Sequence, residues 1–154
     1  MVAPDTRVLV LGSLPGEESL RAQHYYAHPR NRFWHLMGKV IGTDLEALAY
    51  DDRLAALLAA KVGLWDTVAS ARREGSLDAA IREPKHNGLV ALAESLPELR
   101  AAAFNGRKAA AIGEKLLAGS GVERVALPSS SPAHAAMPLT EKERLWLSLC
   151  KFLA

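Results

Sequence analysis

Four short apolar runs, each followed at once by a polar segment and separated from the next by helical patterning, constrain the fold of this 154-residue chain more than any other feature. They are RVLVL at 7–11, VGLW at 62–65, AAAF at 101–104 and VERVAL at 122–127, the alanine run being the weakest by itself. Aliphatic runs of this length bounded by turn residues read as buried strands. Strands joined through helices pair in parallel, because parallel neighbours need a long crossover between them. The expectation is an α/β fold: one domain over residues 1–154, a three-layer αβα sandwich around a four-stranded parallel sheet. Ligands of such sheets bind beyond the carboxyl ends of the strands. The polar segments 12–31, 66–75, 105–108 and 128–134 come directly after the four runs, so all four are expected to line one edge.

The first of these segments, GSLPGEESLRAQHYYAHPRN, is far richer in chemistry than a linker needs. A rigid scaffold commonly presents such a loop to a ligand. Asn31 closes it as an expected N-cap, since Phe33, Trp34, Met37 and Ile41 follow at helical spacing. Asp51 and Asp52 open a second helix. Ser76 leads to a brief helical turn at 77–82 that Pro84 stops, and Asn87-Gly88 breaks the chain again before a helix over 89–96. Another helix follows Asn105-Gly106. The last begins with a capping box, Thr140 to Glu143, and turns Leu145, Trp146, Leu149 and Phe152 inward.

Composition removes several function classes. The hydrophobic fraction of 49% and the absence of repeats describe an ordinary globule. Cys150, the single cysteine, excludes an intrachain disulfide, a four-cysteine zinc site and a cysteine-ligated cluster, and its apolar helical setting suggests a small buried hydrophobe. The apolar stretch at 54–60 is too short to span a bilayer and MVAPDTR lacks a signal-peptide core, so the expected address is cytoplasmic. A net charge of +2 does not by itself indicate nucleic acid. The distribution says more: Arg21, His24, His28, Arg30, Arg32 and His35 crowd one segment, and Arg72, Arg73, Arg82, Lys85 and His86 another, either forming a basic surface or scattering as solvated charges.

The glycine turn GSLPG is neither a Walker loop nor a dinucleotide fingerprint. No G-x-S-x-G elbow is present, which argues against a serine hydrolase. The histidines show no ligand spacing, so neither a metal nor a cofactor is assigned.

Taken together and in order, GSLPG, YYAHPRNRFW, GLWD, FNG and LPSSSPAH resemble the uracil-DNA glycosylase superfamily, most closely its hypoxanthine-DNA (deoxyinosine) glycosylase branch. The resemblance runs from Val8 to about Met137. AHPRNRFW also resembles the matching segment of mismatch-specific uracil and thymine glycosylases. The resemblance implies a monofunctional enzyme that acts as a monomer on double-stranded DNA, flips out a deaminated base and hydrolyses its N-glycosidic bond, most simply hypoxanthine from deoxyinosine. Alternatives on the same fold are mismatch-type uracil removal and a catalytically inactive DNA- or nucleotide-binding module.

Residue by residue, the resemblance places Gly12, Ser13 and Leu14 against the base. Leu14 departs from the aspartate or asparagine that orients water in related branches, and the branch resemblance moves that role to Asn31. Tyr26 corresponds to the ring that stacks on the extruded base. Asp66 replaces an asparagine that reads pyrimidines, and an ionised carboxylate suits the N1–H of hypoxanthine. Asn105 either contacts the base or makes the turn that Asn-Gly favours, the turn being preferred. Ser129, Ser130 and Ser131 correspond to the segment that grips the DNA backbone, and Arg30 is a further candidate DNA contact. Ala133 stands where a leucine wedge is found in better-known members, and His134 is the candidate to fill that gap.

Overall fold

The computed structural model describes residues 1–12, 25–27, 30–66, 84–132 and 136–154, and the backbone alone at 66 and 84–87. Ser13, Leu14, Ala133, His134, the helical turn expected at 77–82 and most of the basic residues named above lie outside the described residues.

The apolar runs form β1 (Val8–Gly12), β2 (Val62–Asp66), β3 (Ala101–Asn105) and β4 (Glu123–Leu127). They build a four-stranded sheet in the order β2-β1-β3-β4. Every pair is parallel, as expected. Even the alanine run is a central strand, because its side chains are fully buried and their small size lets helices approach both faces. Period-two alternation splits the core. Val8, Val10, Val62, Leu64, Ala101 and Ala103 face one way, against α1 (Phe33–Ile41), α2 (Tyr50–Ala59) and α5 (Leu139–Trp146). Leu9, Leu11, Ala102 and Phe104 face the other, against α3 (Pro84–Glu94) and α4 (Arg107–Leu116). The result is three layers, α, β and α.

Close approach of α4 to the sheet depends on Gly113. A Cβ there would stand 2.2 Å from the Phe104 ring, so the glycine lets the aromatic lie directly beneath the helix. Burying a side chain such as Phe104 contributes roughly 1.5–3 kcal/mol.

Three local expectations are corrected. Asn87-Gly88 does not break the chain, because α3 opens at Pro84 and runs through both residues. Proline suits a first helical turn, where its missing N–H has no partner to lose. The Thr140 capping box is not made: α5 starts one residue earlier, its cap Pro138 makes no side-chain hydrogen bond, and the Pro138 carbonyl receives the Glu141 and Lys142 N–H groups. Glu143, freed from that duty, bonds His35 Nε2 of α1 at 2.6 Å and ties the two helices together. Cys150 is exposed rather than buried, its thiol 3.4 Å from the Val40 carbonyl, because Leu149 and Trp146 already fill the inner stripe.

Candidate active site at the carboxyl edge of the sheet

The chain leaves β1 toward β2 and leaves β3 toward β4, on the opposite side. This places the reversal of strand order between β1 and β3, where open α/β sheets form their binding crevice. Register brings the strand ends level: Gly12 pairs with Asp66, Leu11 with Phe104, and Asn105 with Leu127. The segments after β1, β3 and β4 therefore start at one edge, and the Asp66 backbone joins them.

Asn105 and Ser130 hold two of these segments together. The Ser130 N–H donates to Asn105 Oδ1 and the Asn105 amide nitrogen donates to Ser130 Oγ, both at 2.9 Å. The Asn105 amide is thereby committed to the neighbouring loop. Ser130, with 1% exposure, is the pivot: its carbonyl also accepts the Arg32 N–H at 2.9 Å, which brings the entry of α1 alongside. Gly106 lies between, at φ 98 and ψ 169, a conformation open essentially to glycine alone. A Cβ at Gly106 would approach Ser129 Cβ to 3.2 Å. Ser129 and Ser131 are half-buried, with the Ser131 N–H donating to Ser129 Oγ at 3.1 Å.

Asn31 is half-buried at the start of α1, and its Oδ1 accepts the Phe33 N–H at 2.9 Å. Asn31 is not the expected N-cap: the helix begins at Phe33 with Arg32 at the cap position, and the Asn31 bond closes a local turn just ahead of it. That bond fixes the direction of the amide and uses one of the two acceptor sites of its oxygen. Tyr26 is stacked on Phe33, with ring centroids 3.8 Å apart and planes at 14°. Its backbone is left-handed, φ 54, a conformation costing a non-glycine residue roughly 1–2 kcal/mol. The Tyr25 N–H donates to the Tyr50 hydroxyl at 2.8 Å, and burial raises the Tyr50 pKa above the usual tyrosine value. Arg30 and Arg32 are exposed at the same corner.

The structure thus brings Gly12, Asn31, Asn105, Ser129, Ser130, Ser131 and the Asp66 backbone to one edge, with Tyr26 and Arg30 on the adjoining turn. The Asp66 side chain, Ser13, Leu14 and His134 lie outside the described residues. One residue was missed. Lys142 of α5 is 4% exposed, and its ammonium donates to the Ser129 carbonyl at 2.7 Å. Burial first, then the neighbouring Arg32 charge, lowers its pKa from the usual lysine range. The available signal was spacing: Lys142, Trp146 and Leu149 share the inner stripe of the helix. Trp146 completes the anchor by donating its indole N–H to the Pro128 carbonyl at 3.0 Å.

A separate open hollow of about 490 Å³ lies between Trp34, His35, Lys39 and the turn at 42–46. It contains none of the candidate residues. The strand-end edge is favoured over it because the directed polar groups and the reversal of strand order coincide there. Among the described residues, no group of three His, Cys, Asp or Glu side chains is placed to hold a metal, and no helix is long and apolar enough to cross a membrane.

The family model described as the uracil DNA glycosylase superfamily matches residues 1–150. A Methanosarcina acetivorans protein named hypoxanthine DNA glycosylase is 46% identical over 130 residues, covering 84% of this chain and 82% of its own length. A Methanosarcina barkeri protein of the same name is 41% identical over 134 residues, covering 87% and 84%. The solution NMR structure of a Methanosarcina acetivorans protein provisionally named a uracil DNA glycosylase superposes with a TM-score of 0.82 at 41% identity, over 99% of this chain and 93% of that one. Matching over nearly its whole length in sequence and in fold, the chain belongs to the uracil DNA glycosylase superfamily.

Proposed function

We propose that this protein is a monofunctional DNA glycosylase that excises hypoxanthine from deoxyinosine in double-stranded DNA, acting as a single-domain monomer and leaving an abasic site. The observation that carries the reading is the 46% and 41% identity, over most of the chain, to two proteins named hypoxanthine DNA glycosylase. The aligned strand ends support it, since they supply an edge at which an extruded nucleotide can be held.

In this mechanism the nucleotide swings out of the duplex at a cost of roughly a few kcal/mol. The bond between C1′ and the base breaks, its electron pair leaves with the base, and water adds to the sugar cation while its proton ends on hypoxanthine. Asn31 orients that water through the acceptor site that its bond to the Phe33 N–H leaves over. An amide takes up no proton near neutral pH, so its contribution is positioning rather than general-base catalysis. Tyr26, stacked on Phe33, extends an aromatic column beneath the base. Gly12, Ser13 and Leu14 contact the base, and Asp66 accepts from N1–H. Arg30, His134 and the serines contact the DNA backbone, with Ser130 and Asn105 acting through the loop they brace.

Duplexes carrying one inosine, uracil or xanthine, treated with alkali after incubation to reveal abasic sites, test the reading. The expected result is cleavage at inosine, with no strand break before alkali. Absence of product on all three substrates would leave only a binding module. Preference for uracil would favour the second reading, mismatch-type uracil removal; the name of the superposed NMR structure speaks for uracil as the base.

A further inference from the structure

Asn105 spends both ends of its amide on one residue. Its Oδ1 accepts the Ser130 N–H and its amide nitrogen donates to Ser130 Oγ, so Ser130 is fixed in direction as well as in place. At 1% exposure Ser130 offers almost no surface of its own, and what it passes on is the direction of its carbonyl. That carbonyl accepts the Arg32 N–H at 2.9 Å. Arg32 stands at the cap position of α1, directly after Asn31. The first N–H groups of a helix have no partner within it and must find one elsewhere. At α1 two consecutive groups do so: the Arg32 N–H reaches the Ser130 carbonyl and the Phe33 N–H reaches Asn31 Oδ1. Asn31 is therefore held twice, by the anchored backbone that follows it and by its own bond to Phe33. The acceptor site left on its oxygen takes the direction that these two ties set.

We propose that Asn105 is a positioning residue for Asn31: through its paired bonds to Ser130, and the Ser130 carbonyl on the Arg32 N–H, it sets the direction in which the Asn31 amide holds the attacking water. The inference rests on the glycosylase reading above, in which Asn31 positions that water. The bonds that carry it join three segments, those after β3, after β4 and before α1. Misplacing a group that orients a reactant by about 1 Å can lower a rate by about 10², so a brace that acts on Asn31 through a single residue controls the chemical step. Asn105 then contributes to the rate at which bound DNA reacts rather than to how tightly DNA is bound.

The test is a double-mutant cycle between Asn105 and Asn31. Asn105→Ala removes both bonds to Ser130, and Ser130→Ala keeps the N–H bond while losing the Oγ acceptor. Each is made alone and with Asn31→Ala. Excision is read in single turnover at saturating enzyme, on the duplex that wild type cleaves best, and affinity by fluorescence anisotropy on an undamaged duplex. Asn105→Ala is expected to lower the single-turnover rate by about tenfold or more while affinity stays within about threefold of wild type. Ser130→Ala should fall between. With Asn31 already alanine, Asn105→Ala should lower the rate by no more than about twofold further, because the amide it positions is gone. A direct contact of Asn105 with the base, or a general loosening of the loop, lowers the rate by the same factor in both backgrounds. That equal factor would overturn the proposal, as would a wild-type rate in Asn105→Ala or a loss confined to affinity. Should Asn105→Ala fail to fold, Ser130→Ala enters the same cycle and the same outcomes decide. A wild-type protein that releases no base from inosine, uracil or xanthine duplexes removes the glycosylase reading and this inference with it, whereas excision by wild type with equal factors in both backgrounds removes this inference alone.

Discussion

The Asn31 amide accepts the Phe33 N–H and, in the proposed mechanism, also positions the water; substitutions separate the two. Asparagine and aspartate accept such a helix-entry N–H about equally well, whereas alanine loses about 1 kcal/mol. Asn31→Ala is therefore expected to lower the urea midpoint of unfolding and Asn31→Asp to leave it near wild type. Equal midpoints for the two variants would show that the 2.9 Å bond to the Phe33 N–H contributes little. Lys142 offers a prediction of opposite character. Its pKa is lowered, so between the folded value and the higher unfolded one the unfolded chain binds more protons, and stability rises with pH across that window. The proton on Lys142 is thus a cost to the fold at neutral pH. It faces Arg32, while Glu141 and Glu143 flank it on its own helix, Glu143 being held by His35. Lys142→Met should consequently flatten the alkaline rise in thermal midpoint; an unchanged slope would assign that rise to other groups.

At the scale of elements, the sheet and its helices were legible because their apolar periodicity is strong, and the failures came from residues with more than one use. Thr140 to Glu143 has the sequence of a capping box, but Pro138 supplies the helix start and Glu143 is drawn to His35, a partner far away in the chain. Asn87-Gly88 reads as a chain break, but both residues lie inside α3, where the helix already opened at Pro84 carries through them. The Asn105–Ser130 clamp was not legible, since nothing local marks two residues 25 apart as partners. Asn-Gly announced a turn, and the turn is there, but its amide braces the neighbouring loop. Gly106 gives this scale its test. Any side chain there meets both a backbone conformation suited to glycine and the Ser129 Cβ, so Gly106→Ala is expected to cost roughly 1–3 kcal/mol in denaturant unfolding and to weaken duplex binding. A variant as stable as wild type would mean that the β3–α4 turn relaxes without strain.

For the whole molecule, the order β2-β1-β3-β4 turns four short runs into one working edge. Parallel pairing aligns the strand ends, the strand order reverses between β1 and β3, and α1 and α5 are tied to the segment after β4 through Arg32, Lys142 and Trp146. That convergence was readable from the positions of the polar segments. Lys142 was not, because lysine in a charged stretch reads as a solvated face and only packing shows it buried. The central claim is that this edge holds an extruded hypoxanthine nucleotide with Asn31 positioning the water. Single-turnover excision on an inosine duplex, wild type against Asn31→Ala under conditions where both are folded, tests it most directly. The account predicts hypoxanthine release by wild type and a rate lower by about 10² or more in the variant, which loses the carbonyl that holds the water. No release by wild type, or equal rates for the two proteins, would contradict it.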